Sequence, residues 1–250
     1  MSRIETSSRN FTARHDESDG DEVDDILELL EETRARLGPA FPALPDEVTV
    51  VLHDSRIELD LAQPFLPLMR RITTPAARRY LAGWAARREL HVLTPRLLAE
   101  RAANVEGSRE MLMLTPAALY VQLIVAESNP LLPPPWSPRS TMRAARWAWL
   151  VAGTAQWFSG QTSHARPAIA RRLREGPRPD FPPALRDAAL LGGTVLDLVA
   201  REEGEAAAVR LACTLPPGGP RQSLIEVFNG RAMIHSEGTW RAHLARLAER

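Results

Sequence analysis

Strand-like sequence in this chain is confined to two short runs, and nearly everything after residue 95 has the periodicity of helix. Glu47 to His53 (EVTVVLH) and Glu89 to Leu93 (ELHVL) are short and rich in β-branched or large apolar residues, as strands are. Val23, Ile26, Leu27, Leu30 and Leu37 recur at helical spacing and are stopped by Gly38-Pro39. Ile57 to Tyr80 reads as helical pieces interrupted by Pro64, Pro67 and Pro75. Beyond Pro95 the pattern predicts helices at about 96–103, 108–126, 140–158, 165–175, 183–202, 204–214, 220–228 and 236–249, with the proline-rich connector SNPLLPPPWSPRS at 128–140. The sum is an α+β chain, mostly α-helical, in which a small N-terminal mixed strand layer precedes a helical bundle. Residues 1–22 are polar and acidic, with only Ile4 and Phe11 as large apolar groups, and are expected to be a disordered tail. The remainder, 23–250, is expected to form one domain, with a strand-containing part at 23–107 and a helical part at 108–250.

Composition excludes more than it suggests. With 250 residues and 44% hydrophobic content the chain can bury a sizeable core. Its 31 basic residues balance 31 acidic ones, so no global field draws in nucleic acid, and no nucleic-acid partner is expected. Every basic residue is Arg, which removes Schiff-base lysine chemistry and the phosphate-binding lysine of nucleotide loops. A single cysteine, Cys213 in the apolar stretch RLACTL, rules out a disulfide framework within the chain and a cysteine-based zinc site. The N-terminus has no apolar signal core and no run of about 18 apolar residues occurs; the expectation is a cytoplasmic chain with no membrane contact.

The segment Trp147 to Gly160, WAWLVAGTAQWFSG, reads as an amphipathic helix carrying an aromatic stripe and closing on a Ser-Gly stop. It resembles the glutamate helix of gluzincin-type zinc metallopeptidases (peptidase MA-like), whose pattern is W-L-x-E-G-x-A-x-[YW]-x-S-G. Leu150, Gly153, Ala155, Trp157, Ser159 and Gly160 match; Ala152 stands where the zinc-binding Glu would be. Upstream, Gly83 to Pro95 (GWAARRELHVLTP) resembles the edge strand over the substrate cleft, and Leu112 to Ala126 (LMLTPAALYVQLIVA) occupies the place of the HExxH helix. That motif works because residues i and i+4 share a helix face and both imidazoles reach one zinc. One register places Ala118 and Gln122 at the His positions and Leu119 at the general base; a register using Tyr120 and Ile124 is the other. Neither supplies a His pair or a Glu. Downstream, Asp187 to Glu203 resembles the following packing helix, and Ser223 to Leu244 the terminal module, so the resemblance spans roughly 80 to 245.

The resemblance implies a zincin-like fold whose metal site is lost, with Ala118, Leu119, Gln122 and Ala152 at the vestigial positions. It implies no metal or other cofactor, and a residual cleft that binds a peptide or protein, with His91, Tyr120, Gln122, Gln156 and Trp157 as candidate cleft residues. Apolar replacement is the expected drift, because burying former ligands without zinc would strand polar groups at a cost of several kcal/mol. Two other functions compete. A hydrolase with a relocated site, requiring zinc if metal-dependent, would have it around His53, His91 or His164. A helical scaffold would use the acidic tail and the paired arginines Arg70-Arg71, Arg78-Arg79, Arg87-Arg88 and Arg171-Arg172 as exposed helix faces, and would have no cleft between residues 89 and 160. The oligomeric state is not set by the sequence.

Overall fold

Alternation with a period of two is hidden among the charges of the N-terminus. Phe11, Ala13 and His15 are buried while Thr12 and Arg14 are more exposed, which is the pattern of a strand with one buried face. In the computed structural model, which describes residues 3–249, this segment is strand β2 (Phe11–Asp16), paired antiparallel to β1 (Arg3–Ser7). The expected disordered tail at 1–22 is therefore corrected: residues 3–7 and 11–16 are strands, and a helix starts at Gly20; residues 1 and 2 lie outside the described residues. The turn between the strands is tied to helix α1 (Gly20–Leu37) by Glu31, whose carboxylate accepts from the Ser8 hydroxyl and from the Asn10 amide and backbone N–H, each at 2.7 Å. Burial opposes its charge, but these hydrogen bonds hold the carboxyl below the usual range.

Strand β3 (Val48–His53) runs parallel to β2. It is followed by three short helices, α2 (Arg56–Ala62), α3 (Phe65–Ile72) and α4 (Pro75–Arg78); Pro64 and Pro75 stand at the breaks, whereas Pro67 lies in the first turn of α3 and does not interrupt it. A hairpin of β4 (Gly83–Ala86) and β5 (Glu89–Leu93) completes the sheet, in the order β1-β2-β3-β5-β4. β5 is parallel to β3 and antiparallel to β4. The segment read as one edge strand is thus two strands: β4 is the edge, and β5, carrying His91, is internal.

Helices α5 (Pro95–Glu100), α6 (Ser108–Met113), α7 (Thr115–Ser128), α8 (Pro138–Arg146), α9 (Ala148–Phe158), α10 (Gln161–His164) and α11 (Arg166–Glu175) follow. They lead to α12 (Leu185–Glu203), α13 (Glu205–Cys213), α14 (Pro220–Val227) and α15 (Met233–Glu249). Two helices expected to be continuous are broken. The first divides at Leu114, with Pro116 in the first turn of α7; the second divides at Trp147, whose ψ of 24° leaves the helical region. Gly160, at φ 88°, ends the α9 segment as its sequence predicts. The architecture is α+β and mostly helical.

Helix α7 is apolar on nearly every side and correspondingly buried. Against α9 lies α12, packed through glycine: a Cβ on Gly153 would fall 2.6 Å from the carbonyl group of Gly192. The α12 start is held by Arg172, whose Nε and Nη2 donate to both Asp187 oxygens at 2.6 and 2.8 Å. Its far side receives α15, where the Trp240 indole donates to the Thr194 hydroxyl at 2.9 Å. One hydrophobic cluster extends from Phe11 to Leu247. Among the described residues no helix is long and apolar enough to cross a membrane.

Candidate functional site

Edge strand β4 and helices α7 and α9 come together around a cavity of about 150 Å³. Leu119 and Gln122, three residues apart, share the face of α7 that lines it. Ala148, Val151 and Ala152 line it from α9 at the same helical spacing. Gly83 and Trp84 contribute the strand wall, and Met69 of α3 and Thr73 just after it, with Leu81, Trp136 and residues of α8 and α12, close the remainder. The strand lies this near the helix because residue 83 has no side chain: a Cβ there would sit 2.6 Å from Leu119 Cδ1 and 2.7 Å from the His91 carbonyl oxygen.

The outer edge of β4 is half covered. The Leu93 N–H donates to the Ala82 carbonyl, so alternate residues of this antiparallel strand, Gly83 and Ala85, direct their backbone groups away from the sheet. The Ala85 carbonyl accepts from the Trp136 indole at 2.8 Å, and Trp136 stacks on Trp84 with ring centres 4.4 Å apart. Gly83 faces the cavity. The Thr73 hydroxyl is committed to the Met69 carbonyl at 2.7 Å. The Gln122 carboxamide makes no hydrogen bond within the described residues and is the only side-chain amide in the lining.

Of the four positions that the resemblance aligns with zinc ligands and general base, Leu119, Gln122 and Ala152 meet at one cavity, while Ala118 is buried in α7 without lining it. The side chains at these positions are methyl, isobutyl and a single carboxamide. None provides the imidazole or carboxylate that zinc takes, so these residues do not fit the metal. Among the described residues no group of three or more His, Cys, Asp or Glu is arranged to hold a metal ion.

The other candidate cleft residues lie elsewhere. Tyr120 points to α1 and the sheet, accepting from Arg34 at 2.9 Å and meeting the Phe11 ring edge-on; burial pushes its phenol above the ordinary range, against the Arg34 hydrogen bond. Gln156 is buried in the α9–α12 seam, where it accepts from the Gly193 N–H at 2.9 Å. Trp157 packs edge-on against Phe158 beside Arg36 and Pro39, in separate depressions. His91 is on the opposite sheet face from the cavity: its neighbour Val92 pairs with Gly83, which faces α7, so residue 91 points the other way. These four residues do not line the cavity.

There His91 meets His53, with His53 Nε2 3.1 Å from His91 Nδ1 and the rings stacked. His91 Nε2 lies 3.4 Å from the Glu89 carboxylate. An N–H toward Glu89 leaves His91 Nδ1 as acceptor, which makes His53 Nε2 the donor and His53 Nδ1 a bare acceptor. That atom is buried without a partner. Burial pushes the His53 imidazole down to about 4, with His91 and Arg3 adding to it, and burial also lowers His91 against the pull of Glu89. His164 joins neither; it lines another depression with Glu110 and Arg166.

Two of the arginines read as exposed are buried and paired: Arg70 with Asp60 and the Leu81 carbonyl, Arg172 with Asp187. Sequence reasoning missed Trp136, Trp84 and the α3 wall; the one signal was a tryptophan at the end of a proline run. No family model, curated protein or solved structure matches the chain.

Proposed function

We propose that this chain is a non-catalytic, gluzincin-like binding protein whose cavity takes one apolar side chain of an extended peptide or protein segment. The observation that carries the reading is the convergence of Leu119, Gln122 and Ala152 with the β4 edge on one cavity. Three segments that resemble separate parts of a peptidase cleft thereby form a single wall. An apolar space of this volume accepts one benzene-sized group. Burying a Leu or Phe side chain there supplies roughly 1.5–3 kcal/mol, so the anchor needs backbone pairing beside it. The Gln122 carboxamide, able to donate and accept, and the outward backbone of Gly83 supply that pairing. Strand addition further along β4 requires the Trp136 indole to leave the Ala85 carbonyl. In this reading the protein acts without zinc or another cofactor, in the cytoplasm, on a peptide or protein and not on nucleic acid.

The test is selection of displayed peptides on the full chain, counter-selected on Ala152→Phe, which fills the cavity from α9. Peptides sharing one apolar anchor that bind wild type and lose at least about tenfold in affinity on Ala152→Phe or Gln122→Leu are expected. Stoichiometric, tightly held zinc in the purified protein would overturn the reading, as would binders indifferent to both substitutions.

A further inference from the structure

The largest unexplained apolar surface lies on α2 and α3. Ile57 and Leu61 are 72% and 77% exposed, and Phe65, Leu68 and Ile72 continue the series at 56%, 56% and 41%. Ile57 and Leu61 share one face of α2, and Phe65, Leu68 and Ile72 share one face of the α3 helix that follows it, while the inward positions are taken by Leu59, Leu66 and Arg70. From Leu61 to Met69 the sequence LAQPFLPLM contains no charge. Scattered exposed hydrophobes need no account, but five on two consecutive short helices put on the order of 500 Å² of apolar side chain into water, near the upper end for a monomer.

We infer that this ridge is a self-association surface, and that its occupant is the same ridge of a second copy. Two observations favour a copy over other partners. Two such patches with their rims clear the total of about 1,000 Å² that a specific interface needs. The charges at the ends of the ridge are also complementary to themselves. Glu58 is half-exposed at the α2 end, with only a 3.9 Å contact to Arg3. Arg71 is exposed at the α3 end and makes no ion pair within the described residues. A two-fold axis across the ridge runs the copies antiparallel, placing Glu58 of each toward Arg71 of the other. Asp60 is already held by Arg56 and Arg70, and the chain's zero net charge puts no repulsion between copies.

Sedimentation velocity over a concentration series tests this on the full chain. Wild type should reach a dimer, and Leu61→Glu/Leu68→Glu should weaken it by roughly a thousand-fold or more, with unchanged circular dichroism because both side chains are exposed. Glu58→Arg and Arg71→Glu should each weaken the dimer by about threefold to tenfold, and the double exchange should restore it. A wild type that stays monomeric overturns the inference, as does a dimer indifferent to Leu61→Glu/Leu68→Glu. A monomer that instead floats with phosphatidylserine vesicles, and loses this on the same substitution, overturns it in favour of a lipid surface. Failure of the double exchange to restore the dimer overturns the antiparallel arrangement.

Discussion

Gly153 and Ala152 are neighbours on α9, both small, for opposite physical reasons. Gly153 faces α12, where backbone meets backbone and a Cβ would stand 2.6 Å from Gly192. Ala152 faces the cavity shared with α7 and β4, where a larger side chain would meet space. One face of the helix is small because it is full, the other although it is empty. A packed seam transmits strain from any added atom, whereas an unfilled wall absorbs it. The first face therefore positions the second: α9 holds its cavity residues at a fixed distance from α7 because its back is locked on α12.

The largest effect should come from the anchor of that seam. Asp187→Ala leaves the Arg172 guanidinium buried without its carboxylate and should destabilise the fold by about 3–5 kcal/mol in urea unfolding. Replacing both, as Arg172→Met/Asp187→Leu, should recover most of that loss. If the double exchange is as damaging as the single one, α12 is positioned by the ion pair itself and not by the glycine contact.

Gly153→Ala comes next, at about 2 kcal/mol, the net of overpacking and a gain in helix propensity. The comparison within the molecule is Gly238, a helical glycine on α15 with nothing within 4 Å of an added Cβ. Gly238→Ala should stabilise by about 1 kcal/mol, since only the propensity contributes. Thermal unfolding of the two variants checks the opposite signs; equal signs would mean that the α9–α12 seam can open without loss.

What could be seen in the sequence follows from how locally each feature is determined. β3 and β5 are apolar runs in themselves, and Gly160 is a stop by its own conformation. β1 and β2 could not be seen because polar residues outnumber apolar ones in both, RIETS and FTARHD, and the pairing partner of Phe11 is Val48, far along the chain. The cavity was half legible. Leu119, Gln122 and Ala152 were reached through segment order, but Trp136 and Met69 arrive from other elements by tertiary folding alone. Gln156 shows the limit of face arguments. It lies one turn beyond Ala152, close to the same face, yet α12 crosses at that turn and takes its amide. Arg70 and Arg172 look like surface charges until their carboxylates are placed beside them.

The sheet repeats the contrast between filled and unfilled in polar form, with a smaller expected effect, on the order of 1 kcal/mol. The folded-state imidazoles of His53 and His91 sit below their ordinary value of 6.5, His53 at about 4. As pH falls from about 6.5 toward 4 the unfolded chain binds these protons first, so this pair lowers stability in that window and contributes nothing above it. Asp54 acts in the opposite sense. Its carboxyl, hydrogen-bonded to Asp16 and partly buried, is pushed up to about 6, so between about 6 and 3.8 the folded state binds more protons and gains stability. Wild type should show a shallow net slope. His53→Gln, which keeps a donor toward His91, should be more resistant to acid than wild type, and Asp54→Asn less. Urea midpoints from pH 7 to 4 distinguish them; parallel curves for all three would remove the buried pair as a titrating element.

Ala152→Leu has the smallest predicted effect on stability and the largest consequence for the comparison. Three added carbons, where Gly153 could not accommodate one, should be taken up by the cavity, leaving unfolding within about 1 kcal/mol of wild type or raising it. Each methylene removed from water is worth about 0.8 kcal/mol, offset by rotamer strain. Peptides selected on the wild-type chain should then fail to bind to a protein that is as stable as before. That separation of binding from stability is what a merely packed helix cannot produce. If Ala152→Leu unfolds the chain as a bulky residue at 153 would, the wall is core and α9 has no empty face. If it is stable and still binds every selected peptide, the cavity is space that the partner does not enter, and the contact must be sought outside it.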